Sequence, residues 1–261
     1  METELKTTKR NIPASLAHLK GTYDRAVIAH ASHGRQLNAY NMEVAKRKAM
    51  TARNVEAITD PKRRDEMSKL YESEFADWLK GYRSETSESR WKDAGELNTL
   101  RADAIEAKAI LTNPVALATV HGFGTPERNA MATEVNGLGP HAMRNLATVA
   151  IRTGNKAMIG ALVVANDKLP RGDRPFSSQE IATAGFGEEA EQAAKLIAII
   201  DRLHAESIAA VRQTEGNPLT PNEKLSHGLK FGPGRAVPVS PTVLSKPKTT
   251  TSKISSGLSA Q

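Results

Sequence analysis

From Leu16 onward, one set of positions returns every seven residues: Leu16, Tyr23, His30, Leu37, Val44, Thr51 and Ile58. A second set, Leu19, Ala26, His33 and Tyr40, falls three positions later. This 3–4 alternation predicts one face of a long helix or a coiled-coil seam. Gly21 and Gly34 interrupt it, each costing about 1 kcal/mol relative to Ala, and a kink or break is expected near either. Asp60-Pro61 then marks a new start, Asp as the N-cap and Pro at the first helical position. Met67, Leu70, Tyr71, Phe75, Trp78, Leu79 and Tyr82 follow at three- and four-residue spacing. They predict a second helix folded back on the first as a hairpin. Residues 84–89 form a polar break before a third helix at about 90–111, with Trp91, Ala94, Leu97, Ile105 and Ala109 turned inward.

Shorter periods begin at Asn113. Asn113-Pro114, Thr125-Pro126 and Gly139-Pro140 are start signals, and Gly122, Gly137 and Gly154 are stops. They predict short helices near 114–121, 126–136, 140–153 and 155–167. A loop at 169–176 leads to a capping box, Ser177-Ser178-Gln179-Glu180. Gly185-Phe186-Gly187 reads as a break before a long Ala-rich helix reaching about Thr214, with Ala193, Ile197, Ile200, His204, Ile208 and Val211 as its stripe. On that reading Glu188, Glu189 and Glu191 crowd the first turn, at the positive end of the helix dipole. Gly216 ends that helix and the globular part with it. Thr220-Pro221 offers one further turn before a tail split by Pro238, Pro241 and Pro247. Nothing reads as a sheet. The expectation is an all-α chain in four parts. A flexible basic arm (1–12) precedes a long-helix hairpin region (13–112); a short-helix cluster with a long Ala-rich helix (113–216) precedes an extended tail (217–261).

Charge sharpens this picture. Segment 21–216 holds 26 basic and 26 acidic residues, whereas 217–261 holds six Lys or Arg against Glu223 alone, and 1–20 holds four against two. Much of the apolar content is Ala, which buries little area, so the core is expected to be thin for 261 residues. Such a chain favours long helices side by side, or surfaces completed by another subunit. With no cysteine there are no disulfides, thiolate nucleophiles or Cys-type zinc sites. Residues 1–20 lack the apolar stretch of a signal peptide. The most apolar run, AMIGALVVA at 157–165, is about half of what a bilayer crossing needs.

Candidate chemistry is sparse. His30 and His33 lie one helical turn apart, two ligands where zinc takes three or four, so a pH-sensitive helix contact is the expectation and a metal is not. Lys46-Arg47-Lys48 and Lys62-Arg63-Arg64 read as solvated helix faces. Lys6, Lys9 and Arg10 in front, and Arg235, Lys246, Lys248 and Lys253 behind, are the cations expected to touch a partner or a phosphate backbone. Without interleaved aromatics, such contact would be salt-sensitive and indifferent to base sequence. The Gly-x-Gly triplets do not continue into a phosphate loop, and G-x-S-x-G and H-E-x-x-H are absent. An active site around His121, Glu134 and His141 has no motif behind it.

Some stretches resemble virion proteins of tailed bacteriophages, of the internal core, ejection or head–tail connector kind. They are the Ala-rich EEAEQAAKLIAIIDRLHAESIAAV, the Gly-punctuated AMIGALVVAND and the tail SKPKTTTSKISSGLSAQ, in a chain without cysteine. The resemblance is one of texture and carries over no site residue. It implies a non-enzymatic structural component of a particle assembled in a host cytoplasm. The partners would be copies of itself, other structural proteins, packaged DNA and transiently a membrane, with no cofactor and no small-molecule substrate. The alternative is a cytoplasmic basic protein that binds nucleic-acid backbone through its tails.

Overall fold

The computed structural model describes residues 15–231. The N-terminal arm and the chain from 232 onward, with all seven tail cations named above, lie outside the described residues. Within them the chain is all α: α1 (Leu16–Glu56), α2 (Pro61–Glu85), α3 (Ser87–Leu111), α4 (Pro114–Val120), α5 (Pro126–Val135), α6 (Pro140–Thr153), α7 (Lys156–Lys168), α8 (Ser178–Thr214) and α9 (Pro221–Phe231). A short 3-10 turn, Arg171–Asp173, precedes α8.

The signals that start these helices are made as hydrogen bonds. Ser15, Asp60, Asn113, Thr125, Asn155 and Ser177 each accept a backbone N–H from the first turn they precede. Proline occupies the first position of α2, α4, α5 and α6, where its missing N–H costs nothing. Gly154 closes α6 in the left-handed region at φ 65°.

Three long helices form the frame. His30 meets Ser207, and Tyr40 meets Thr214, so α1 and α8 run parallel. Arg90 meets Thr214, and Arg101 meets Asp201, so α3 runs antiparallel to both. Leu19, Ala26, Ala29, Leu97, Leu100, Ala104, Ala193, Ile197 and Ile200 are buried between them. Because so many of these are alanines, the backbones approach closely and the core is narrow. Helix α1 runs unbroken through Gly21 and Gly34, contrary to the expected kink. Packing along 41 residues outweighs two glycine penalties, and neither site has a neighbour that forces a bend.

The polar break expected at 84–89 shrinks to Thr86, so α2 and α3 are nearly one helix laid antiparallel along α1. The α3 half is packed between α1 and α8. The α2 half has no buried residue and pairs mainly with the distal part of α1 as a projecting hairpin. In α3 the buried face is Arg90, Asp93, Ala94, Leu97, Leu100, Ala104, Ala107 and Leu111. Ile105 and Ala109, expected inward, face out.

At the other end, α4 to α7 gather around the start of α8. Helix α7 is their axis, with every residue from Ala157 to Val163 buried, as befits a helix apolar on all sides. The Gly185-Phe186-Gly187 break does not occur: α8 runs through it from Ser178. A Cβ at Gly185 would lie 2.6 Å from Ile159 Cδ1, so this glycine serves the close approach of α7 to α8. Glu188, Glu189 and Glu191 therefore sit beyond the first turn, and Glu189 pairs with Lys156 at 2.6 Å instead of capping. Past Gly216 the further turn expected at Thr220-Pro221 extends into α9, antiparallel along α8, and the rest of the expected tail lies outside the described residues. Among the described residues no helix is long and apolar enough to cross a membrane.

Candidate functional site

The polar residues of the frame converge where the hairpin leaves the bundle. The heptad pattern places His30 and His33 on the α1 seam, and the fold sends them to different neighbours. His30, half-buried, hydrogen-bonds through Nδ1 to Ser207 Oγ at 3.1 Å. Its Nε2 lies 3.9 Å from Glu206, which also takes Arg202 at 2.7 Å. Serine, histidine and carboxylate are the parts of a nucleophilic triad, but Ser207 is 1% exposed, so no substrate reaches its Oγ. The trio joins α1 to α8.

His33 is equally buried and faces α3. Burial, then the neighbouring His30, holds its pKa below the ordinary value; Asp93 and the Arg90 carbonyl pull the other way and are outweighed. Gln36 donates to Asp93 at 3.1 Å across the same contact. Among the described residues no three His, Asp or Glu side chains gather to hold a metal ion.

One turn further along α1 lies an element that sequence reasoning missed. Arg90, 1% exposed, fills the one-residue interruption between α2 and α3. Its guanidinium donates to the Arg83 carbonyl at 2.6 Å, to Thr214 Oγ1 at 2.5 Å and to Thr86 Oγ1 at 3.3 Å. It also lies 4.8 Å from the centre of the Tyr40 ring. Thr86 in turn donates to the Tyr82 carbonyl at 2.7 Å. The Arg83 carbonyl at the break is thus satisfied by a side chain, while the Tyr82 carbonyl accepts both the N–H and the hydroxyl of Thr86. Tyr40 stacks on Tyr82 at 5.3 Å, Tyr82 on Trp78 at 5.0 Å, and Arg47 caps Trp78 at 5.7 Å. Tyr40 O–H and Trp91 N–H both bond to the end of α8, at the Thr214 carbonyl and Glu215.

An aromatic ladder closed by an arginine at each end therefore couples hairpin to bundle. The aromatic residues of α2 were visible as a stripe. Arg90 was not, because a cation beside Ser89 and Lys92 carries no sign of burial.

The two basic triplets both fall on the hairpin and are exposed. Beside Phe75 and Val55, near its tip, is a cleft of about 320 Å³ edged by Lys48, Glu56 and Glu72. His121, Glu134 and His141 do not form a site. All three are exposed; His121 lies edge-on to Phe186 and His141 bonds to Asn145. A second buried arginine, Arg128, holds the short helices together by donating to the carbonyls of Ala157 at 2.6 Å and Ala118 at 3.5 Å. Burial lowers its pKa. No protein-family model matches this chain, and neither a curated protein nor a solved structure gives a significant match.

Proposed function

We propose that this protein is a structural component of a large multi-subunit assembly, and that the assembly is a phage particle. The observation that carries the reading is the hairpin. A two-helix arm with no buried residue in α2 is nevertheless fixed at its base by a fully buried arginine and a three-ring stack. Fixing an arm costs side-chain and backbone entropy, and the return comes when the arm meets another molecule. Support also comes from the alanine-lined core and the basic segments beyond the described residues.

Light scattering on the full-length chain, alone and co-expressed with the structural proteins it accompanies, tests the reading. Oligomers or a mixed complex are expected; a strict monomer under both conditions overturns it. Placement of both basic triplets on the hairpin favours nucleic-acid backbone as a second reading. That reading requires binding by the isolated chain which weakens steeply with salt.

A further inference from the structure

Helix α9 is attached unlike any other helix of the bundle. All its described side chains are exposed, Leu225 at 63% and Leu229 at 80% exposure among them. Charge holds it in place. Lys230 reaches Asp201 at 2.6 Å, and Arg212 reaches Glu223 at 2.9 and 3.4 Å. Asp201 is shared with Arg101 of α3. Under the helix remains a cleft of about 320 Å³ lined by Ala205, Ile208, Ala209 and Leu219. Its own start is secured by a reciprocal cap: Glu223 N–H donates to Thr220 Oγ1 at 3.3 Å, and Thr220 N–H donates to Glu223 at 2.7 Å. A short connection hinged at Gly216, φ 80°, joins it to α8.

We propose that α9 is an exchangeable arm, which occupies the α3–α8 groove of its own subunit here and the same groove of a second copy on assembly. The occupant is fixed by complementarity already on view, since the groove that accepts Lys230 and Glu223 from its own chain offers the same Asp201 and Arg212 to another. The ion pairs Lys230–Asp201 and Arg212–Glu223 are both partly exposed, and the described α9 side chains bury little apolar area, so their loss on opening costs little. Swapping identical elements adds interface without new surface chemistry. The inference rests on the assembly reading above.

The absence of cysteine makes the test direct. Full-length A209C and N222C, one facing the groove and one on α9, are mixed at high concentration, and a short bis-maleimide is added. A covalent dimer of the two variants is expected. Its yield should fall roughly three- to tenfold in 0.5 M NaCl or on D201N/E223Q substitution, because the arm is then held less firmly in either seat. Deleting residues 217–219, which bars return to the home groove, should raise it. Oligomers whose A209C/N222C double variant cross-links only within a chain overturn the exchange while leaving the assembly reading intact. A chain that stays monomeric even when the connection is shortened overturns the exchange, and the light-scattering result decides the assembly reading separately.

Discussion

Single residues in this molecule matter where backbone and side chain compete for one space. Gly160 is the sharpest case: a Cβ there would fall onto Arg128 Nη1 and the Ala118 carbonyl oxygen. Arg128 cannot retreat, because it is buried and its donors hold α4 and α7 together. G160A should therefore destabilise the fold by about 3 kcal/mol, the upper range of overpacking. Gly95 is the contrast, exposed on α3 with nothing within 4 Å of a Cβ. G95A should stabilise by about 0.5–1 kcal/mol through helix propensity and a less flexible unfolded chain. Urea unfolding of the two variants beside the parent measures both. Equal effects of the two substitutions would mean that Arg128 does not hold its place.

At the level of helices, the α1 seam carries a pH dependence whose sign follows from burial. The folded-state pKa of His33 lies below its ordinary 6.5, so the unfolded chain takes up the proton first as pH falls. The contribution is complete above pH 6.5 and is lost as pH drops towards the folded value. His204, lowered by burial and then by Arg101, acts in the same direction. The groups facing His33 are His30 on its own helix and Asp93 with the Arg90 carbonyl on α3, and Glu206 with Arg202 stands behind His30. The α9 ion pairs do not confuse this window. Glu223 is held to about 2 by hydrogen bonds from Arg212 and Thr220. In Asp201 burial acts upward, but hydrogen bonds from Lys230 and Arg101 prevail and keep it low. The urea midpoint should fall between pH 7 and pH 5, and H33Q should flatten that fall. An unchanged slope in H33Q would place the titration elsewhere.

The same helices show what a sequence reveals. Caps and prolines located α2 and α4 to α7 within a residue or two, because those signals act locally on the backbone. Gly185 misled because a glycine that admits a neighbouring helix is the same letter as one that stops its own. Ile105 misled because period alone does not say which of two adjacent apolar stripes the third helix will cover. The joint at Arg90 depends on Thr214, 124 positions away, and no local pattern announces such a contact.

At the largest scale the described residues form a bundle with a lever, and these two parts should differ in stability. The bundle buries its alanine and leucine seam between three helices, while α2 gains only one-sided contact with α1. Local opening free energy follows buried contact, so amides of α2 and of α1 beyond Tyr40 should exchange faster than those of α3, α7 and α8. The Arg90 ladder is what keeps the arm from opening more freely still. R90M retains the stem but removes bonds to Arg83, Thr86 and Thr214 and the cation from the Tyr40 face. Hydrogen exchange with peptide-level readout should show α2 protection falling about tenfold, the equivalent of 1.4 kcal/mol, while α7 protection stays as it was. Within residues 15–231 trypsin should then cut first at the exposed 62–64 triplet, leaving α1 and the chain from α3 to α8 associated as a nicked, otherwise resistant bundle. If α2 and α7 lose protection together in R90M, hairpin and bundle are one cooperative unit. The lever would then have no separate existence, and nothing in the fold would be held ready for a partner.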